Sequence, residues 1–176
     1  DWLLVPPATV ASVSGTNGTL VLGNGLVERT FRIAPNLAAV RMRHLGNGAD
    51  FLRAPRPEAI LTVDGTAWEI GGLRGQPDHS YMDPGWVDRL TNSPNAFRYV
   101  GYRVGSPEAR YPWRPRFTTS VTNAWPPKGI RLTLDFQAPA KAPGKIAGLT
   151  VQVHYELYDG LPAIAKWLSI SNAGPE

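Results

Sequence analysis

Strict alternation of apolar and polar residues recurs along this chain and constrains its fold more than any other feature. The segment IRLTLDFQA (130–138) alternates aliphatic or aromatic residues with Arg, Thr, Asp and Gln, and LTVQVHYELYDG (149–160) and AIAKWLSIS (163–171) repeat the pattern. Successive side chains of a β-strand point to opposite faces, so each segment predicts a strand with one buried and one solvated face. Such strands are typical of antiparallel sheets.

Two dipeptides mark β-hairpins. Asn24-Gly25 separates two apolar arms in TLVLGNGLVERTFRIA (19–34), and Asp64-Gly65 does the same in EAILTVDGTAWEIGGL (58–73). Asn-Gly is the strongest short hairpin signal, because both residues tolerate the positive φ angles of a type I′ turn. We therefore expect a type I′ turn at Asn24-Gly25 and a second hairpin with Asp64-Gly65 at its tip.

The strand pattern predicts one all-β domain. With LAAVRMRHLGNG (37–48) and AFRYVGYRVG (96–105) included, we count seven to nine strands and no long amphipathic helix. Sheets with one apolar face must cover each other, which predicts an antiparallel β-sandwich. A length of 176 residues suits a single domain. We expect residues 18–176 to form it, after an extended lead-in over residues 1–17.

Composition excludes several classes of function. The chain has no Cys, which rules out disulfides, thiolate chemistry and cysteine-based zinc sites. Its three His lack the recurring spacing of metal ligands, so we expect neither a metal nor another cofactor. His154, on the polar face of its strand, is interpreted as an exposed side chain. No apolar run reaches the roughly 18 residues of a membrane-spanning helix, so we expect no membrane partner.

The charge pattern does not favour nucleic acid. The net charge of +4 comes from 18 Lys and Arg against 14 Asp and Glu, and the basic residues are dispersed along the chain. A nucleic-acid-binding protein usually carries a basic stripe or cluster, and the nearest candidate is RYPWRPR (110–116). We interpret this segment as a loop with stacked, partly buried Arg side chains and expect no nucleic-acid partner.

Two stretches resemble a known family. VLGNGLVERTFRI (21–33) and VHYELYDGLPAIAKWLSISNAG (153–174) are similar to the N-terminal β-supersandwich domains of multidomain glycoside hydrolases. The α-galactosidase-like enzymes are the nearest comparison, followed by the wider galactose-mutarotase-like sandwiches. The matching positions speak to fold more than to chemistry, and region 71–129 has no counterpart that we can place. They are turn and core residues: Asn24, Gly25, Leu26, Tyr155, Asp159, Pro162, Ile164, Ile170, Asn172 and Gly174.

The resemblance implies a partner. In this family the catalytic carboxylates lie in a following barrel domain, which implies a downstream catalytic domain in the same parent chain and no catalytic residue here. The strand at 163–171 ends where a hairpin requires its next strand, and only Lys166 offers a charge to protect that edge. We therefore expect a fragment of a longer chain. The chain starts at Asp1 without a signal peptide, and we favour an extracellular or periplasmic location after processing.

Carboxylates in the irregular regions are the catalytic candidates. Glycoside cleavage uses two carboxylates about 5–10 Å apart, and Asp78, Asp83 and Glu108 fall in segments without strand alternation. The alternative interpretation is turn chemistry, because Asp beside Pro favours Asx turns.

Aromatic residues in the same regions are the binding candidates. Flat rings can stack on the apolar C–H face of a sugar while polar neighbours such as Arg114 reach its hydroxyls. Alternatively, the rings cap the open ends of the sandwich or contact the next domain. The aromatic candidates are Tyr81, Trp86, Tyr111, Trp113 and Trp125.

Three functions remain open, and the first is favoured. It is a non-catalytic module of an exported carbohydrate-active protein, which packs against a catalytic domain and shapes its substrate cleft. The second is a carbohydrate-binding module that uses loops 74–95 and 106–128. The third is a hydrolase that acts through the loop carboxylates.

Overall fold

The structure is a computed structural model that describes residues 9–16, 18–77, 81–113 and 125–174. Strands dominate, as the alternation predicts, and they are joined by a 3₁₀ helix at Pro84–Arg89 and a short α-helix, α1, at Gly144–Ala147. The ten strands within the described residues are β1 (Ser12–Thr16), β2 (Thr19–Gly23), β3 (Val27–Arg32), β4 (Ala38–His44), β5 (Ala59–Val63), β6 (Thr66–Ile70), β7 (Ala96–Gly105), β8 (Gly129–Gln137), β9 (Leu149–Tyr158) and β10 (Ile164–Asn172).

The strands form two sheets. The small sheet has the order β1-β2-β3-β4, and the large sheet has the order β10-β9-β8-β7-β6-β5. Neighbouring strands are antiparallel except β6 and β7, which run parallel over a short stretch. The predicted all-β sandwich is confirmed, with a large sheet that is mixed rather than purely antiparallel.

The core fills the space between the sheets. Phe31 of the small sheet packs against Tyr155 of the large sheet, with ring centroids 5.4 Å apart. Burial of apolar surface in this layer is the main free energy that holds the two sheets together. The apolar stripes predicted on 130–138 and 149–160 supply much of it: Leu132, Leu134, Phe136, Val151, Val153 and Leu157 are all buried.

Strand β1 corrects the predicted domain boundary. Ser12–Thr16 pairs antiparallel with β2 and forms one edge of the small sheet, whereas the sequence predicts a lead-in over residues 1–17. SVSGT has no apolar stripe, and backbone hydrogen bonds to β2 hold it in place. Residues 12–16 therefore belong to the domain, and residues 1–8 lie outside the described part of the chain.

Both predicted hairpins form, but their turns differ. Asp64 and Gly65 have φ angles of 49° and 76°, as a type I′ turn requires. Between β2 and β3, Gly25 has a φ of 79° but Asn24 does not have a positive φ, so the type I′ prediction is wrong there. The Asn24 side-chain oxygen instead accepts hydrogen bonds from the two amides of Leu26 and Val27. The side chain, rather than a left-handed backbone, closes this turn.

An irregular segment covers the outer face of the small sheet. This segment contains the 3₁₀ helix at Pro84–Arg89. Val87 and Leu90 pack with Ala38 of β4 in an apolar cluster separate from the main core.

Across the described ranges, no helix has the length and apolar character needed to cross a bilayer.

Candidate functional site

The outer face of the large sheet is partly covered rather than solvated. Alternate residues of β9 point away from the core, as predicted, yet His154 and Glu156 among them are only 8% and 2% exposed. The segment that follows β7 folds over this face: the Glu108 amide lies 3.4 Å from the Glu156 carboxylate, and Arg110 stacks on Trp167 of β10. This face therefore carries an organised polar network.

His154 lies at the centre of the network, so its interpretation as an exposed residue is wrong. Its ring nitrogens lie 3.0 Å from the hydroxyl oxygens of Thr133 and Ser169. Its ring stacks on Trp167 with centroids 5.0 Å apart and planes 16° apart. Burial, followed by the nearby charge of Arg131, lowers the pKa of His154 below 6.5. The structure therefore favours a neutral imidazole.

Arg131 of β8 joins two carboxylates on the same face. Its guanidinium lies 2.9 Å from Glu156 and 3.0 Å from Glu108, and the Tyr158 hydroxyl donates a 2.9 Å hydrogen bond to Glu156. Burial of Arg131 acts to lower its pKa, but the hydrogen bonds to the two carboxylates outweigh burial and raise it. Burial and the Glu156 carboxylate raise the pKa of Tyr158. These contacts hold the segment after β7 against the sheet.

The same segment presents three aromatic side chains, Tyr111, Trp113 and Trp125, which we call the aromatic cluster. The Trp125 ring contacts both other rings, with centroids 5.2 Å from Tyr111 and 5.7 Å from Trp113. Its indole N–H lies 3.3 Å from the Tyr111 carbonyl oxygen. Tyr111 and Trp113 are exposed. The chain therefore displays two aromatic rings beside a half-buried third.

The structure brings together some of the predicted binding residues and separates others. Trp113 and Trp125 meet in the aromatic cluster. Tyr81 lies elsewhere, with the guanidinium of Arg53 4.8 Å from its ring centroid, and Trp86 is half-buried on the 3₁₀ helix that covers the small sheet. Arg114 lies outside the described residues. The predicted set therefore does not form a single site.

The candidate catalytic carboxylates are also separated. The Asp83 side chain accepts a 2.8 Å hydrogen bond from the Gly85 amide and caps the 3₁₀ helix beside the small sheet, which fits the turn-chemistry interpretation. Glu108 pairs with Arg131 on the outer face of the large sheet. These two residues therefore do not form the carboxylate pair that glycoside cleavage needs. Asp78 lies outside the described residues.

A buried ionic cluster near β10 was missed by the sequence reasoning. The Glu58 side chain, 1% exposed, is 2.6 Å from the Lys166 ammonium and 3.6 Å from the Arg29 guanidinium, and it accepts a hydrogen bond from the Tyr155 hydroxyl. Burial, then the Glu58 charge, raises the pKa of Tyr155 well above its usual value. An acid at the start of a strand gives no signal of burial.

Trp167 was missed as well, whereas Arg110 belongs to the segment 110–116 that was interpreted as carrying stacked Arg side chains. The guanidinium of Arg110 lies 3.9 Å from the centroid of the Trp167 ring, which is close for a cation–π contact. The sequence did hold a signal, since a Trp on the polar face of an alternating strand has apolar surface that something must cover.

Comparison of the chain with family models, with curated proteins and with solved structures gives no match. Within the described residues, no group of three or more His, Cys, Asp or Glu side chains could hold a metal ion. The resemblance to glycoside hydrolase sandwiches stays a prediction that rests on residues 21–33 and 153–174.

Proposed function

We propose that this chain is a non-catalytic β-sandwich module of a carbohydrate-active protein and that it binds carbohydrate at the aromatic cluster. The observation that carries the proposal is the cluster of three rings, in which the exposed Tyr111 and Trp113 both contact Trp125. Tyr and Trp are enriched at interaction surfaces, because each combines an apolar ring with a hydrogen-bonding group. Sugar rings offer apolar C–H faces that can stack on such rings.

The support beneath the aromatic cluster favours a preformed binding surface. Arg110, which immediately precedes Tyr111, is held on Trp167, and Glu108 is held by Arg131. Because these anchors lie on strands of the large sheet, residues 108–111 lose little freedom when a ligand binds. Such preorganisation lowers the entropic cost of binding.

Titration with a panel of neutral and acidic oligosaccharides tests the proposal. Calorimetry and Trp fluorescence should detect binding, and Trp113→Ala should weaken it by about tenfold or more because it removes one exposed stacking face. Phe51→Ala is the matched control, since Phe51 is exposed but lies outside the aromatic cluster. The proposal would be contradicted if no oligosaccharide of the panel produced heat or a change in fluorescence, or if Trp113→Ala bound an oligosaccharide as tightly as the unchanged chain does.

A second candidate role is packing against a catalytic domain. The observation that favours it lies on β7, where Val100, Tyr102 and Val104 are large apolar side chains exposed at alternate positions. Hydrogen exchange would compare this chain with a longer one that includes the following domain. Slower exchange of the β7 amides in the longer chain would support packing, and unchanged β7 exchange would oppose it.

A further inference from the structure

A cleft lies apart from the aromatic cluster, between residues 53–57 and residues 73–77. Its volume is about 490 Å³, which falls within the range typical of small-ligand sites. We call it the arginine cleft. The residues that line it are Arg53, Ala54, Pro55, Arg56, Pro57, Glu69, Leu73, Arg74, Gly75, Gln76 and Pro77.

The walls of the arginine cleft are tied together. The Leu73 amide donates a 2.9 Å hydrogen bond to the Pro55 carbonyl oxygen, and the Gln76 side-chain amide donates a 2.8 Å hydrogen bond to the Arg53 carbonyl oxygen. These bonds cross from one wall to the other. The shape of the cleft is therefore built into the fold before any ligand arrives.

The charge of the cleft is positive. Its lining residues include three arginines, Arg53, Arg56 and Arg74, and a single acid, Glu69, which Arg74 already engages. In the part of the chain that the structure describes, Arg53 and Arg56 have no carboxylate partner, and both are exposed. Guanidinium groups bind planar oxyanions through paired hydrogen bonds. The cleft therefore suits an anionic ligand.

An aromatic ring lies beside one of these guanidinium groups. Arg53 lies 4.8 Å from the centroid of the Tyr81 ring, and Tyr81 is 71% exposed. A ligand that carries both an oxyanion and an apolar face could contact the arginines and the free face of this ring together. A saccharide with an acidic substituent has both features.

We infer that the arginine cleft binds the acidic group of a negatively charged saccharide, either the carboxylate of a uronic acid or a sulfate ester. The recognition of an oxyanion stands on the cleft alone, whereas the saccharide part rests on the proposed function. Arg56 and Arg53 hold the oxyanion, and Tyr81 contacts the sugar ring. The cleft is a second binding site, separate from the aromatic cluster.

Calorimetry with charge-matched probes tests this inference on the whole chain. The probes are a galacturonic acid trisaccharide, its methyl-esterified form, a sulfated disaccharide and the unsulfated disaccharide. An acidic probe should bind at least about tenfold more tightly than its uncharged counterpart, because charge-assisted hydrogen bonds to arginine are strong. Preference for the uronate or for the sulfate identifies which oxyanion is recognised.

Variants locate the effect. Arg56→Gln should weaken binding of the acidic probe by about tenfold and leave binding of the uncharged probe unchanged. The affinity of Arg56→Lys should fall between those of Arg56→Gln and the unchanged chain, because Lys keeps the charge but lacks the planar guanidinium with its paired donors. Arg98→Gln is the control, since Arg98 is also exposed but lies on β7. Equal binding of charged and uncharged probes, no effect of Arg56→Gln, or an equal effect of Arg98→Gln would overturn the inference. An ineffective Trp113→Ala would instead count against the proposed function alone.

Discussion

The side-chain amide of Asn24 donates a 2.8 Å hydrogen bond to the carbonyl oxygen of Tyr158, which lies 134 residues later in the chain. The same amide donates a 2.7 Å hydrogen bond to the carbonyl oxygen of Leu161. Asn24 is 2% exposed, and its side-chain oxygen is occupied by the turn between β2 and β3. One buried side chain therefore links a turn of the small sheet to the β9–β10 turn of the large sheet.

Replacement of Asn24 should be costly. Asn24→Ala leaves two part-buried carbonyl oxygens and two turn amides without their partner, and we expect it to lower the free energy of unfolding by about 2–4 kcal/mol. Urea denaturation monitored by Trp fluorescence measures the change.

Asn47→Ala is the control for this prediction. Asn47 also accepts a hydrogen bond from a backbone amide two residues later, but that bond is exposed and local. Water can replace it, so the change should stay below about 1 kcal/mol. Equal losses for the two variants would mean that the long-range hydrogen bonds of Asn24 contribute nothing.

The cation of Lys166 should stabilise the buried carboxylate of Glu58. Lys166 is 34% exposed while the Glu58 side chain is 1% exposed, so Lys166→Met removes the nearer cation from a buried negative charge and leaves the Arg29 guanidinium 3.6 Å away. Loss of one partner of a buried pair is strongly destabilising. With the partial exposure of Lys166 taken into account, we expect a loss of about 2 kcal/mol in denaturant unfolding.

Lys145→Met supplies the comparison. Lys145 forms an ion pair of 2.8 Å with Asp64, but both side chains are largely exposed, and such pairs contribute little. We expect no measurable change in stability for this variant. If Lys166→Met also leaves the free energy of unfolding unchanged, the charge of Lys166 does not stabilise the buried Glu58 carboxylate.

His154 should make stability depend on pH. Its pKa in the fold lies below 6.5, so the unfolded chain binds more protons than the folded chain as the pH falls through that value. Stability should therefore be full above pH 6.5, decrease as the pH falls below 6.5, and level off once the folded-state pKa is passed. The charged groups facing His154 are Arg131, Arg103, Asp135 and Glu156.

His154→Gln tests the pH dependence. Gln does not titrate, so the variant should lose less stability than the unchanged chain between about pH 7.5 and about pH 5. Asn47→Ala, which changes an exposed side chain that does not titrate, should leave the slope unchanged. If the free energy of unfolding depends on pH in the same way for His154→Gln and the unchanged chain, His154 has the same pKa in the folded and unfolded states.

The sequence predicts the strands well because alternation reports directly on burial. Residues 130–138 and 149–158 become β8 and β9 with the expected apolar face inward, and Asp64-Gly65 adopts the expected turn. Here one side-chain property, apolar surface at every second position, is enough to fix the local structure.

Features set by the backbone or by distant partners were not predictable in this way. Strand β1 is held by main-chain pairing with β2 and has no apolar stripe. The short parallel pairing of β6 with β7 depends on the path of residues 71–95, which connect the two strands. The polar face of β9 reads as solvated, but Arg110 and Glu108 come from another segment to cover it. No local pattern around His154 contains that information.

Gly72 should be irreplaceable for a reason that goes beyond its backbone angle. Its φ is +86°, and an added Cβ would lie 2.6 Å from the Pro57 nitrogen, at one wall of the arginine cleft. Gly48 has a similar φ of +72°, but an added Cβ there would meet nothing within 4 Å. The two glycines therefore separate backbone strain from close approach.

Gly48→Ala should cost about 1 kcal/mol, the strain of a left-handed backbone with a side chain. Gly72→Ala should cost about 3 kcal/mol or more, because the Pro57 backbone must also move. Urea denaturation of both variants measures the difference, and hydrogen exchange at the Leu73 amide reports whether the bond to Pro55 across the arginine cleft has opened. Equal costs for the two variants would mean that the approach of Pro57 to Gly72 is not tight in solution.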